Sequence, residues 1–179
     1  MRKTIFLILL FASPVFAQDA SISALATAAG CGTNDVKFTV KTDKNQHPTG
    51  QPEAGKALVY VIGGAWSDGV AVHIGTPPNR FGVDGTWVGA NGYRSYFFFQ
   101  VYPGDHRLCT NVQSKLKGQV KSSMAAISFT AEPGEIYYFR TKTPRGAENT
   151  TVQRLEPVDP AEAQVFLAST SFSTFHQKN

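Results

Sequence analysis

The sequence predicts a mostly β protein. We expect an antiparallel β-sandwich of seven to nine short strands, of the immunoglobulin or transthyretin kind, with one C-terminal helix. Short apolar or aromatic runs recur along the chain, turn dipeptides such as Asp84-Gly85 and Pro103-Gly104 separate them, and a helix-start pattern begins at Asp159. Apolar runs joined by such tight turns are typical of antiparallel strands. A small barrel is the alternative arrangement.

The first predicted strands are an edge strand and a central strand. Residues 35–41 alternate apolar residues with lysine and threonine, which predicts a half-exposed strand at a sheet edge, where lysines discourage further pairing. Residues 42–55 are rich in Asn, Gln, Pro and Gly and are expected to form a surface connection. Residues 56–62 are nearly all apolar, which predicts a central strand buried on both faces. Another short strand is expected over 70–74.

The middle of the chain predicts a hairpin and a second central strand. Residues 80–83 and 86–90 flank Asp84-Gly85, a strong signal for a two-residue hairpin turn. Residues 93–102 carry aromatic side chains at both odd and even positions. A strand with two apolar faces is expected to be buried on both of them.

The next predicted strands flank a basic segment. Residues 106–113 and 125–131 are expected to be strands, with residues 114–123 as a basic loop between them. A turn at Glu132-Pro-Gly-Glu135 then leads to strands over 136–141 and 150–156.

The C-terminal part predicts a helix and a tail. In Asp159-Pro160-Ala161-Glu162, an Asp stands at the N-cap, a Pro at the first helical position and a Glu three residues after the cap. The helix is expected to reach about Ser169, with one side formed by Ala161, Val165 and Ala168. Residues 171–179 are expected to form a polar, frayed tail.

The N-terminus has the pattern of a secretory signal. Arg2 and Lys3 precede a short apolar run, and Val15-Phe16-Ala17 has the small or aliphatic residues that a signal peptidase recognises. The predicted organisation is a signal peptide over 1–17, a flexible lead-in over 18–34 and a single domain over 35–170. The apolar run is shorter than a membrane span, and an uncleaved anchor is the alternative. We expect a soluble bacterial protein exported to the periplasm or secreted, without a later transmembrane segment.

The charge of the chain excludes one class of partner. Removing 17 of the 179 residues leaves 162 and lowers the formal charge from +4 to +2, because two basic residues are lost. This sparse positive charge does not favour nucleic acid as a partner. From Arg107 to Lys121 there are four basic residues and no acidic one. Lys115 and Lys117 in this stretch are candidates for binding an anionic ligand, and a solvated loop is the alternative.

Cys31 and Cys109 are the only cysteines in the sequence. In an exported chain, two cysteines most simply form one disulfide bond. Residues 28–31 also resemble a lipoprotein cleavage site, but the apolar run ends at Phe16, well before them. Lipidation of Cys31 is therefore the weaker alternative, followed by free thiols or an intermolecular bridge.

The histidines and possible nucleophiles predict neither an enzyme nor a metal site. His73 and His106 with Asp84 or Asp105 are a conceivable zinc set, but a histidine beside a Pro-Gly turn usually forms local hydrogen bonds. The Ser and Cys contexts do not match a nucleophile motif. The glycine-rich stretches lack the following helix that a phosphate site uses. We therefore expect no catalytic residues, no metal and no cofactor.

The aromatic residues are the remaining candidates for ligand binding. Two interpretations apply to them: a sugar-stacking platform, or packing in the core and at strand ends. The set comprises Trp66, Trp87, Tyr93, Tyr96 and Tyr102. Trp66 stands out because it lies in a Gly- and Ser-containing loop, where a large apolar residue has less structural reason to be.

Four segments in order, Gly55–Val61, Val83–Gly89, Val101–His106 and Ala131–Phe139, resemble the domain of unknown function 2846 family. The resemblance spans about residues 55 to 158, and PEGA-type surface modules are a looser match. It implies an exported or envelope-associated β-sandwich, often a lipoprotein, with no catalytic residues to transfer. The cysteine of this chain departs from the usual lipoprotein position.

The function predicted from the sequence is that of an exported, non-enzymatic β-sandwich. We expect it to bind or scaffold an envelope protein or a glycan. One alternative is a carbohydrate-binding module that uses Trp66 and nearby aromatic residues. Another is a hydrolase whose residues come together from distant loops.

Overall fold

A computed structural model describes residues 31–33, 35–64, 77–116, 119–142 and 153–178, with backbone alone at 114–116 and 119–121. The predicted signal peptide, most of the lead-in, the strand over 70–74, Trp66, His73 and Lys117 lie outside the described residues. The described chain forms β1 (Lys37–Asp43), β2 (Ala57–Ile62), β3 (Asn79–Val83), β4 (Thr86–Asn91), β5 (Ser95–Val101), β6 (Gly104–Leu116), β7 (Gln119–Ala131), β8 (Ile136–Lys142), β9 (Arg154–Pro157), α1 (Pro160–Ser169) and β10 (Ser171–Lys178).

The strands form two sheets packed as a sandwich, which confirms the predicted fold class. The larger sheet has the order β1-β10-β5-β2-β8-β9, and the smaller sheet has the order β4-β3-β6-β7. Within the larger sheet, β10 pairs with β5 and β2 pairs with β8 in parallel, and the remaining described pairs are antiparallel. The immunoglobulin or transthyretin type of topology stays a prediction.

The main core lies between the sheets. It contains alternate residues of the central strands, among them Val59, Phe97, Phe81 and Leu108, which are all buried. Phe81 and Phe97 meet edge to face across the two sheets, with ring centroids 5.7 Å apart. Aromatic pairs of this geometry add stability beyond the area that they bury.

A third layer explains why the central strands are apolar on both sides. The outer face of the larger sheet packs against α1, whose Ala163 and Leu167 are buried beside Tyr60 and Tyr138. The connection before β2 also packs on this face, where the Tyr60 hydroxyl accepts a hydrogen bond of 2.7 Å from Gly50 N. β2 is consequently buried at every position, as predicted.

The edge strand and the first hairpin are confirmed. β1 lies at one edge of the larger sheet with Lys37 and Lys41 exposed. β3 and β4 pair across Asp84 and Gly85, whose φ angles are 51° and 85°. Two consecutive positive φ angles give the turn twist that matches a right-handed strand pair.

The predicted basic loop over 114–123 is wrong. β6 and β7 pair without interruption from Gly104 opposite Ala131 to Leu116 opposite Gln119. Composition favoured a loop, but each strand had an adjacent partner for its backbone hydrogen bonds. Pairing over 13 residues on each strand outweighs the weak strand propensity of lysine and serine.

The predicted C-terminal tail is also wrong, because residues 171–178 form β10. This strand pairs with β1 from Lys37 opposite Lys178 to Asp43 opposite Phe172. Its phenylalanines supply the reason: Phe175 packs against Phe38 and Phe97, with centroid distances of 5.8 and 5.0 Å. Partial burial of Phe172 and Phe175 stabilises this strand, although most of its other residues are polar.

The helix begins as predicted and buries a different side. The Asp159 carboxylate accepts a hydrogen bond of 2.8 Å from Ala161 N, and Pro160 is the first helical residue. The expected side through Val165 faces solvent, with Val165 67% exposed. Ala163 and Leu167 are buried instead, because α1 is apolar on more than one side and the sheet selects which side packs.

Candidate functional site

The predicted disulfide between Cys31 and Cys109 is present. Both residues are buried, and their Cα atoms are 5.2 Å apart. The bond fastens the N-terminal strap, defined here as residues 31–33, 35 and 36, to the outer face of the smaller sheet. The Cys31 sulfur is then bonded and cannot also carry a lipid.

Trp87 and Arg80 hold the same strap. The Trp87 indole donates a hydrogen bond of 2.7 Å from Nε1 to the Thr33 carbonyl oxygen. The Arg80 guanidinium lies 4.5 Å from the centroid of the Trp87 ring, and its Nη1 donates to the Val36 carbonyl oxygen at 2.7 Å. Trp87, a candidate for ligand binding in the sequence, therefore contacts the strap, the disulfide and Arg80.

Arg80 is 4% exposed and also donates from Nη2 to Asn111 Oδ1. Burial lowers the pKa of Arg80 from its usual value, although a guanidinium keeps its charge at any physiological pH. Nε has no hydrogen-bond partner among the described residues. The guanidinium is stabilised mainly by carbonyl dipoles and the Trp87 ring.

A second candidate, which we call the turn-end surface, lies where the turns at Asp84-Gly85 and Pro103-Gly104 come together. It is formed by Glu53, Lys56, Asp84, Tyr102 and His106. Hydrogen bonds connect the turns that carry these residues: Gly134 N donates to Lys56 O at 2.8 Å, and Asp84 N donates to Arg107 O at 3.1 Å. Backbone bonds between turns position the side chains with little freedom to move apart.

His106 connects two of these turns. Its Nδ1 lies 2.7 Å from Asp84 Oδ2, and its Nε2 lies 2.7 Å from the Tyr102 carbonyl oxygen. Both neighbours are acceptors, so both ring nitrogens donate only when the imidazole is protonated. The expectation of local hydrogen bonds for His106 is confirmed. With both nitrogens engaged, this arrangement leaves neither for a metal or for general-base catalysis.

The pKa values of this pair shift in the directions that an ion pair requires. Burial opposes the charged form of His106, but hydrogen bonds to Asp84 and to the Tyr102 carbonyl raise its pKa above the usual value. Burial likewise opposes ionisation of Asp84, while hydrogen bonds from Arg107 N and His106 lower its pKa. Each group therefore favours the charged form of the other.

Tyr102 is the most exposed large side chain of the turn-end surface. It is 71% exposed, and the Lys56 ammonium lies 5.1 Å from the centroid of its ring. Lys56 also pairs with Glu53 at 2.6 Å, and this hydrogen bond raises the pKa of Lys56. An exposed aromatic ring beside fixed charges is a surface that can stack on or pack against a ligand.

The structure separates the predicted aromatic set. Tyr96 is buried beneath the third layer, where its hydroxyl donates to Pro48 O at 3.1 Å and burial raises its pKa to about 12. Trp87 lies on the smaller sheet, whereas Tyr102 lies at the turn end.

Of the two lysines predicted to bind an anionic ligand, Lys115 has its backbone in β6. The sequence did not indicate Lys56 as a candidate site residue. Its contact with Tyr102 forms only when two turns that are distant in sequence come together.

No protein-family model, curated protein or solved structure matches this chain. The resemblance to the domain of unknown function 2846 family therefore stays a prediction. No described helix has the length and apolar character needed to cross a membrane. Within the described residues, His, Cys, Asp and Glu form no cluster suited to a metal ion.

Proposed function

We propose that the protein is an exported, non-enzymatic β-sandwich that binds a partner at the cell envelope through the turn-end surface. The observation that carries this proposal is the 71% exposed ring of Tyr102, mounted beside two tight turns and flanked by Lys56 and His106. The disulfide between Cys31 and Cys109 supports an oxidising location outside the cytoplasm. Its buried position protects the bond from reductants.

Tyr102 has the physical properties of a binding anchor. Tyrosine supplies a large contact area and loses little conformational entropy, because it has only two side-chain torsions. Here the neighbouring turn is already restrained, since His106 bonds to the Tyr102 carbonyl and to Asp84. A surface that is ordered before binding avoids part of the entropic cost of association.

A glycan is the second candidate ligand. The Tyr102 ring offers an apolar surface, and Lys56 and Glu53 beside it offer a donor and acceptors for sugar hydroxyls. Such a combination of an apolar body with a polar border favours carbohydrate as much as protein. A contribution from Trp66, as expected from the sequence, would add a second ring to this function.

The proposal is tested by chemical crosslinking of the native protein in its own envelope, followed by mass spectrometry of what co-purifies. Tyr102→Ala is expected to reduce recovery of the partner at least tenfold, as truncation of a central aromatic anchor does. Val165→Ala is the matched control, because Val165 is another exposed apolar side chain, 67% exposed on α1. Equal recovery with Tyr102→Ala and wild type would contradict the proposal.

A parallel titration with purified envelope glycans separates the two candidate ligands. Saturable binding that Tyr102→Ala abolishes would assign the surface to carbohydrate. Loss of a crosslinked protein without any glycan binding would assign it to a protein partner.

A further inference from the structure

The described strands leave four sheet edges, which are not equally protected against pairing with another strand. β1 carries Lys37 and Lys41, β9 has only four residues and ends at Pro157, and β4 packs beside β10 of the other sheet. Lysines, short strands, proline and covering elements are the usual ways in which proteins block their edges. The remaining edge is β7.

Within the described part of the chain, β7 has none of these protections along most of its length. It has 13 residues and pairs with β6 on one side, and no other described strand pairs with it. Residues 122–131 contain neither a charged residue nor a proline, although 17% of the chain is charged. β9 approaches β7 near one end, where Gln153 N donates to Ser123 Oγ at 3.1 Å.

The side of the sandwich next to β7 is incompletely covered. Ala125, Ile127 and Phe129 point towards the main core, yet all three are only partly buried. Phe129 packs against Tyr137 of β8, with centroids 5.4 Å apart, and Tyr137 is also only partly buried. Apolar side chains left half exposed along a strand with one unpaired edge favour addition of a further strand.

We propose that β7 pairs with β7 of a second copy of this chain, in an antiparallel, two-fold symmetric arrangement that joins the two smaller sheets. Residues 122–131 of β7 are themselves an extended, uncharged stretch with apolar residues at alternate positions, so a second copy of this stretch can serve as the added strand. Residues 122–131 can therefore lie side by side in two copies without repulsion between like charges.

The charges at the ends of this stretch favour the antiparallel direction. In the sequence, Lys121 precedes the uncharged residues and Glu132 follows them. Antiparallel pairing brings the basic end of each strand to the acidic end of the other. A two-fold axis also makes each copy use its β7 edge once, so the assembly closes as a dimer and does not extend into a fibre.

This dimer contact is distinct from the turn-end surface, although the two adjoin where His106 lies opposite Phe129 of β7. The contact uses the backbone edge of β7, whereas the proposed partner site is centred on Tyr102. Failure of one proposal therefore leaves the other intact, and a variant of each surface can be tested separately.

The test compares matched substitutions by analytical ultracentrifugation of the purified full chain over a range of concentrations. Ala126 is exposed and lies near the centre of residues 122–131. In the proposed dimer the two-fold axis passes near this centre, so Ala126→Lys brings the ammonium groups of the two copies close to each other. We expect the wild type to be a dimer, and Ala126→Lys and Ala126→Glu each to weaken it at least tenfold. An equimolar mixture of the two variants should restore the dimer, because the opposite charges then meet.

Ala168→Lys is the control, since it makes the same substitution at an exposed position of α1 and should leave the dimer unchanged. Hydrogen exchange of the unmodified chain gives a second readout. Amides of β7 should become more protected as concentration rises, while those of β1 should not. A monomeric wild type would overturn the proposal, as would a dimer that Ala126→Lys leaves intact or one without added protection in β7.

Discussion

Removing the disulfide should destabilise the folded state by an amount that follows from its place in the chain. Cys31 and Cys109 are separated by 78 residues. A cross-link that closes a loop of this length restricts the unfolded chain, which corresponds to about 4.5 kcal/mol of folding free energy in the chain-entropy treatment. For a domain of this size that loss lowers Tm by about 10–15 °C. The double variant Cys31→Ala, Cys109→Ala should show this change.

The assay is urea unfolding followed by circular dichroism, with calorimetry for Tm. Reduced wild-type protein is the matched control, because it keeps both sulfur atoms and loses only the cross-link. The difference between the reduced protein and the double variant measures the cavity left by two buried sulfurs. The strap should stay docked in the double variant through Thr33 and Val36, since Trp87 and Arg80 are unchanged. A loss below about 1 kcal/mol would refute the loop-entropy argument.

Two further predictions concern single residues. The folded-state pKa of His106 is raised, so its pairing with Asp84 contributes fully below the unfolded-state pKa of about 6.5 and is lost as pH rises through the folded value. The difference in unfolding free energy between wild type and His106→Gln should therefore shrink from pH 5.5 to pH 8.5. This range runs from roughly one unit below to two units above the unfolded-state pKa. A pH-independent difference would contradict the ion pair. Asp159→Ala removes the N-cap of α1 and should cost about 1 kcal/mol, whereas Asp159→Ser should restore most of it.

Local patterns predicted those parts of the fold that depend on neighbours in sequence. The turn at Asp84-Gly85 follows from backbone conformations that few other dipeptides adopt, and the cap at Asp159 follows from hydrogen bonds to residues two and three positions later. The centre of β2 follows from an unbroken apolar run, because such a run must be covered on both sides.

Two of the wrong predictions share one cause. Residues 114–123 and 171–178 are polar enough to suggest a loop and a tail, but each forms a strand beside a distant or adjacent partner. Pairing energy comes from the neighbouring strand, and a single segment carries little information about which neighbour it will meet.

The candidate site likewise has features that the sequence predicted and contacts that it did not. The sequence alone indicated local hydrogen bonds for His106 and included Tyr102 among the aromatic candidates. Neither the contact of Lys56 with Tyr102 nor the docking of Thr33 on Trp87 has a sequence signature, since these residues are 46 and 54 positions apart.

The sequence by itself determined the β-rich class, the tight turns, the start of the helix and the pairing of the only two cysteines. These features depend on residue type, short-range spacing and the number of possible partners. Only the tertiary structure decided that Tyr102 is exposed while Tyr96 is buried, that Trp87 holds the strap, and that one edge of β7 has no partner among the described strands. Exposure depends on which layers cover a residue, and that is settled only when distant segments pack together.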